Sequence, residues 1–254
     1  MTGICTFNCI LKSFVMKKIF LFAAIIVTLF SACRYVAGQR IRGNGNVRTE
    51  ERTPGSFNSV ASHGSFNVYV STGPQSVKIE AEDNLLPYID TYVEGSVLKV
   101  ETKENYWLRP SRQIKIYVTS PDFNSIRSYG SGDIIGMSKI TDSSKLELGV
   151  NGSANIKMDV NAPDIDAEIN GSGDINLTGE TKKFNGEIRG SGNVKALDLK
   201  SEDATVKIYG SGNADIFASV KLDVHVAGSG DVNYKGNAQV SSSIAGSGRV
   251  KKVE

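Results

Sequence analysis

Six short polar residues recur along the second half of the chain: Asp133, Asn155, Asp174, Asn193, Asn213 and Asp231. A row of side-chain oxygens suits a cation or the hydroxyls of a glycan. Calcium takes about six to eight oxygens, several of them charged. Its β-roll repeats carry Gly and Asp at roughly a nine-residue period. Here the period is about twice that, and no two aspartates occupy successive places in the row. The residue types fit structure better: Asp and Asn shape turns by bonding nearby backbone, and stacked Asn side chains bond one another. No metal or other cofactor is expected from this row.

Three other groups carry possible chemistry. The stretch Asn105-Tyr106-Trp107-Leu108-Arg109-Pro110 holds the only tryptophan. An aromatic pair beside an arginine suits glycan stacking or protein contact, so Tyr106, Trp107 and Arg109 are candidate binding residues. The competing reading has Trp107 closing one end of a core. His63 and His225, the only histidines, stand apart and lack neighbouring Cys or His, so they do not form a metal pair. Asp164, Asp166 and Glu168 alternate along one strand, and Arg189, Lys207 and Tyr209 fall beside them by offset. Polysaccharide-cleaving enzymes need clustered carboxylates on one face. They also need long loops that build a cleft, and the repeats here leave little room for loops. The stretch reads as a solvated face, the chain as a non-enzyme, and no catalytic residue is assigned.

These side chains need a scaffold, and a repeat supplies it. Phrases beginning at Gly130 (GSGD), Gly152 (GSAN), Gly171 (GSGD), Gly190 (GSGN), Gly210 (GSGN), Gly228 (GSGD) and Gly246 (GSGR) follow one another at steps of about 18 to 22 residues, a solenoid period. Two residues before the first glycine stand Val150, Ile169, Ile188, Ile208, Val226 and Ile244, with Ser128 the exception. Four residues after it stand Ile134, Ile156, Ile175, Val194, Ala214, Val232 and Val250. Even offsets share one face of an extended chain. The spacing therefore predicts stacked β rungs with an apolar interior. The paired glycines (Gly130 and Gly132, Gly171 and Gly173, Gly190 and Gly192, Gly210 and Gly212, Gly228 and Gly230) become corners turned inward where a side chain would strike the core. Serine and Asp/Asn turn outward.

Upstream, residues 43–128 alternate in strand fashion without a clean repeat, as in Ser65-Phe66-Asn67-Val68-Tyr69-Val70 and Gln113-Ile114-Lys115-Ile116-Tyr117-Val118. Asp83–Ile89 suggests a single helical turn. Residues 129–254 hold the repeats. The amino terminus reads as a targeting segment, residues 1–33. Met16-Lys17-Lys18 is a basic start, Ile19 to Phe30 an apolar run too short to span a bilayer comfortably, and Ser31-Ala32-Cys33 resembles a lipoprotein signal with Cys33 as the lipidated residue. Ordinary secretion, with cleavage after Ala37-Gly38, is the other reading. Met16 is a plausible true start. Residues 34–42 read as a tether. Once the signal is removed, only Cys33 remains, so no disulfide framework is available. The chain has 254 residues, 40% hydrophobic and 22% charged, with a net charge of +2, which gives no footprint for nucleic acid.

The phrase Gly171-Ser172-Gly173-Asp174-Ile175-Asn176 resembles the GIN head domain of auto-transporter adhesins. Phe57-Asn58-Ser59-Val60, Gly64-Ser65-Phe66-Asn67-Val68 and Asn84-Leu85-Leu86 add to the resemblance, which spans about 43 to 250. It implies an all-β, right-handed single-stranded β-helix with a strand-rich amino-terminal part, and it lends no catalytic residues. GSAN at Gly152 and GSGR at Gly246 depart from the pattern and predict irregular rungs. The combined expectation is a lipid-anchored envelope protein, surface-facing or periplasmic, that binds a glycan or protein partner along a rigid rod. The rival is a periplasmic scaffold associating end to end as a homo-oligomer.

Overall fold

Alternation of apolar and polar side chains makes each segment a strand with one dry face. In a coil the facing sides cover each other's dry faces, and stacked coils extend that interior along the axis. In the computed structural model, which describes residues 38–254, the strands form coils with two long sides. Side A runs, in spatial order, through Ile89–Glu94, Val97–Thr102, Ser59–Gly64, Ser125–Gly130, Lys145–Gly152 and Asp164–Gly171. It continues through the later halves of Asp174–Gly190 and Asn193–Gly210, then Lys221–Gly228 and Gln239–Gly246. Side B runs through Val47–Arg52, Ser76–Glu82, Lys115–Ser120, Asn67–Thr72, Ile134–Gly136 and Ile156–Asn161. The early halves of the two long strands follow, then Ala214–Phe217, Val232–Lys235 and Val250–Lys252. The solenoid makes about seven turns.

From the Ser59–Thr72 coil upward in the stack, neighbouring coils are parallel, with one register shift between Asn176 and Thr178. Ile126, Leu148, Ala167, Gly186, Val206 and Val224 form one interior column. Leu146, Ile165, Phe184, Ala204 and Leu222 form the next. Volumes compensate between columns: the ring of buried Phe184 lies 3.1 Å from where a Cβ on Gly186 would be. Each fully buried Ile or Val contributes roughly 1.5–3 kcal/mol.

The amino-terminal part belongs to the same stack. Gly64-Ser65-Phe66-Asn67 is an earlier copy of the corner phrase, and Gly64 pairs with Gly130. Its coil lies between Val97–Thr102 and Ser125–Gly130. The chain thus lays down one coil, doubles back beneath it, and then climbs past it. Beneath these coils the pairing turns antiparallel, with Ile89–Glu94 on side A and Ser76–Glu82 and Val47–Arg52 on side B. A 3-10 turn, Leu86–Tyr88, meets the expected single turn. The end of the expected tether is ordered differently: Gln39–Arg42 is a strand, paired with Tyr106–Arg109. The signal segment and Cys33 lie outside the described residues.

Candidate functional site

The corner glycines are held by the coil below, which revises the expectation that the core alone excludes a side chain. A Cβ on Gly173 would sit 1.9 Å from the carbonyl oxygen of Ala154 and 2.8 Å from Cγ1 of Val150. On Gly192 it would sit 2.1 Å from the Gly173 oxygen and 2.7 Å from Cγ2 of Ile169. The first glycine of each phrase is half-exposed rather than inward-facing. Gly171, at φ +144, would place a Cβ 2.1 Å from the Gly152 oxygen. That oxygen accepts the N–H of Ser172 at 2.9 Å, and the same bond recurs from corner to corner. The glycines therefore exist to let one coil's amide reach the carbonyl beneath it.

The Asp/Asn row is a continuous staircase of hydrogen bonds. The Asn155 N–H donates to Oδ1 of Asp133 (2.9 Å), Asp174 N–H to Asn155 (3.2 Å), and Asn193 N–H to Asp174 (3.1 Å). Asn213, Asp231 and Arg249 continue the series at 3.1, 3.0 and 3.0 Å. Below, the Asp133 N–H donates to Asn67. Each side chain thus satisfies a backbone donor that the corner leaves free. Lys195 pairs with Asp174 at 2.6 Å. Burial pushes the Asp174 carboxyl up, but Lys195 and Asn193 outweigh it and hold it below the usual range. A row spent on backbone donors has little left for a cation. Among the described residues no group of three His, Cys, Asp or Glu could hold a metal ion.

The aromatic candidates divide across their strand. Tyr106 is half-buried and its ring lies 4.5 Å from that of Tyr88, while Trp107 is 58% exposed. Arg109 is exposed too, and its carbonyl accepts the Gly43 N–H at 3.0 Å. Trp107 and Arg109 share one face of the strand, and Tyr106 does not. The loop around them is secured by a buried carboxylate. Glu82 accepts from Gly45 N–H (2.6 Å), Ser111 N–H (2.9 Å) and Ser111 Oγ (2.6 Å). Burial alone would raise its pKa, yet these donors, the Ser111 hydroxyl foremost, bring it below the ordinary value. A Cβ on Gly43 would fall 2.0 Å from Glu82 Oε2, so the chain closes around the carboxylate.

The outward face of side A holds a groove of about 290 Å³. Asp166, Glu168 and Lys207, which the alternation put on an outward face, line it, together with Arg127, Glu147, Asn185, Glu187 and Thr205. Arg127 crosses two coils to reach Glu147 at 3.0 Å and Glu168 at 3.3 Å. It passes over Gly149, where a Cβ would lie 3.0 Å from its Cγ and Nη1. Arg189 takes Glu168 at 2.9 Å and Glu187 at 2.5 Å. Lys145 takes Asp166 at 2.6 Å, and Asn185 donates to Asp166 at 2.8 Å. The Arg127 guanidinium holds Glu147 below its usual range, and Asn170 followed by Arg127 does the same to Glu168. Lys207 has no ion pair among the described residues. Arg127, Glu147 and Glu187 were not picked out from the sequence. The signal that could have found them is register: once the repeats are stacked, Glu147 lies opposite Asp166, Glu187 opposite Glu168, and Arg127 in the Glu168 column two coils away, across Gly149.

At one edge of this face, His63 stacks on Tyr129, with centroids 4.6 Å apart and planes 5° from parallel. The rings lie face to face along the stack, so His63 serves a ladder and not a metal. His225 is exposed beside Lys207 in register.

Solved structures share this architecture. A "putative adhesin" from Bacteroides fragilis matches with a TM-score of 0.78 at 23% identity, over 84% of this chain and 100% of its own. A "putative lipid binding protein" from Parabacteroides distasonis matches with a TM-score of 0.69 at 29% identity, over 85% of this chain and all of its own. A "putative adhesin" from Parabacteroides merdae matches with a TM-score of 0.68 at 24% identity, over 85% and 100% of the two chains. No curated protein matches the chain. Residues 56–238 match the family described as "putative auto-transporter adhesin, head GIN domain", from the first coil to the last corner but one. That span contains the GSFN coil, the glycine corners and the side A groove, and the chain belongs to the GIN head domain family.

Proposed function

We propose that this protein is a non-catalytic adhesin of the cell envelope, anchored by lipid at Cys33, that presents side A to a glycan or protein partner. The observation that carries the reading is the groove around Arg127, Glu147 and Glu168. It is a fixed set of donors and acceptors on a rigid sheet, the arrangement that gives orientation and specificity at little entropic cost. Membership in an adhesin family fits a place at the envelope or surface. Among the described residues no helix is long and apolar enough to cross a membrane. The Parabacteroides distasonis relative is described as lipid-binding; a groove lined by charges favours polar groups over acyl chains.

The test is a glycan and envelope-protein array probed with the wild-type chain and with an Arg127→Ala/Glu168→Ala variant, checked for folding by circular dichroism. Binding lost in the variant supports the reading. Binding that survives it but disappears with Trp107→Ala moves the site to the Tyr106–Arg109 strand. Turnover of a polysaccharide by the wild type refutes the non-catalytic role. Labelling with palmitate, and its loss on Cys33→Ala, tests the anchor.

A further inference from the structure

Among the described residues, the coil of Gln239–Gly246 and Val250–Lys252 has one strand edge unpaired on each side. On side B this is Val250–Lys252, where Lys252 occupies the inward register position that Tyr234 holds one coil earlier. An inward-facing charge at an edge opposes further pairing. On side A it is Gln239–Gly246, and no described strand pairs with its outer edge. This strand, QVSSSIAG, carries no charge. The edge strands at the other end of the stack, IDTYVE and VRTEER, are charged. Ile244 is 40% exposed, whereas Val226, its register partner in the coil before, is 3% exposed. The corner staircase also stops here. Arg249 takes Asp231 through its N–H, but a guanidinium has no acceptor to offer another coil. What this edge can take is a single strand.

We infer that Gln239–Gly246 pairs antiparallel with the same strand of a second copy, about a two-fold axis through Ser242. Directly opposed residues of an antiparallel pair share a face. In this register Val240 lies against Ile244 of the second copy, twice, and Ser242 meets Ser242. Registers centred on Ser241 or Ser243 set Val240 or Ile244 against serine. The contact is isologous and so closes at a dimer. Lys251 and Lys252 repel their counterparts on side B, which confines the contact to side A.

Sedimentation velocity on the full chain tests this. The expected result is a monomer–dimer equilibrium. Ser242→Lys, at an exposed position with little burden on the fold, should weaken it at least tenfold by setting like charges in opposition. Mixing Ser242→Lys with Ser242→Glu should restore a heterodimer. A chain that stays monomeric up to its solubility limit overturns the proposal. So does a dimer indifferent to Ser242→Lys, which would use another surface, or a mixture that fails to re-form.

Discussion

Phe66 and Gly192 hold the same offset in their coils; Phe66 and Ala154 are the two residues with a side chain at that place among the described corners. A Cβ at this offset points at the carbonyl of the coil beneath. Gly192 has Gly173 beneath it, and Gly132 has Phe66, whose oxygen lies 1.9 Å from where its Cβ would be. The Phe66 coil has no corner phrase beneath it, so the ring fills the space at 3% exposure. The regular stack and the irregular base obey the same rule under different neighbours. What lies in the coil beneath decides how much room a side chain at this offset meets.

This contrast can be broken most sharply by exchanging the two environments. Gly192→Ala should cost about 3 kcal/mol or more in urea unfolding, because backbone cannot give way as a side-chain end does. Phe66→Ala should cost a similar ~3 kcal/mol, through a cavity instead of a clash. A loss below ~1 kcal/mol for Gly192→Ala would sink the account.

The base depends on Glu82 as the stack depends on glycine. Glu82→Ala leaves the Gly45 and Ser111 donors unpaired and should cost about 2–3 kcal/mol. The carboxyl's folded pKa is lowered. Its contribution is therefore complete above the ordinary glutamate value and fades as pH falls from there through the lowered one. Denaturant midpoints of wild type and variant should converge on acidification; a constant gap would count against the carboxylate role.

A third test addresses the departures at Ser128 and Ala154 together. At Gly173, Gly192, Gly212, Gly230 and Gly248 the second glycine lies over a branched residue of the coil below, as Gly173 does over Val150 and Gly212 over Ile188. The same register puts Ala154 over Ser128, which like Ser62 in the coil beneath is polar at an offset held by Val or Ile in the later coils. Ser128 makes room for the methyl, and its buried Oγ donates to the Gly132 carbonyl at 3.2 Å. Ser128→Val should cost about 1–3 kcal/mol. Adding Ala154→Gly should recover part of that, with a coupling of at least ~1 kcal/mol in a double-mutant cycle. Additive effects would show the two departures to be unrelated.

The smallest effect separates the interior of the staircase from its end. Asp174→Ala removes the acceptor for the Asn193 amide and should cost about 1 kcal/mol. Arg249→Asn, with no coil described above it, should stay within ~0.5 kcal/mol, read from the same unfolding curves.

The repeat phrase and the even offsets of Ile169, Ile175 and Ile188 by themselves determined a stacked β fold, because period-two alternation leaves a strand one dry face and stacked repeats enclose it. The Asp/Asn row was legible as structural for a related reason: its spacing suits successive coils better than one ion. Tertiary structure alone decided the rest. It showed that Gly64-Ser65-Phe66-Asn67 is a coil of the same stack, inserted out of chain order, since a single phrase with Phe at the glycine place has no period to betray it. It set Arg127 over Gly149 and against Glu147 and Glu168, because outward columns form only when separate coils come into register. It also showed that the corner glycines yield to a carbonyl in the neighbouring coil, a contact between residues some twenty positions apart that parity within one coil cannot express.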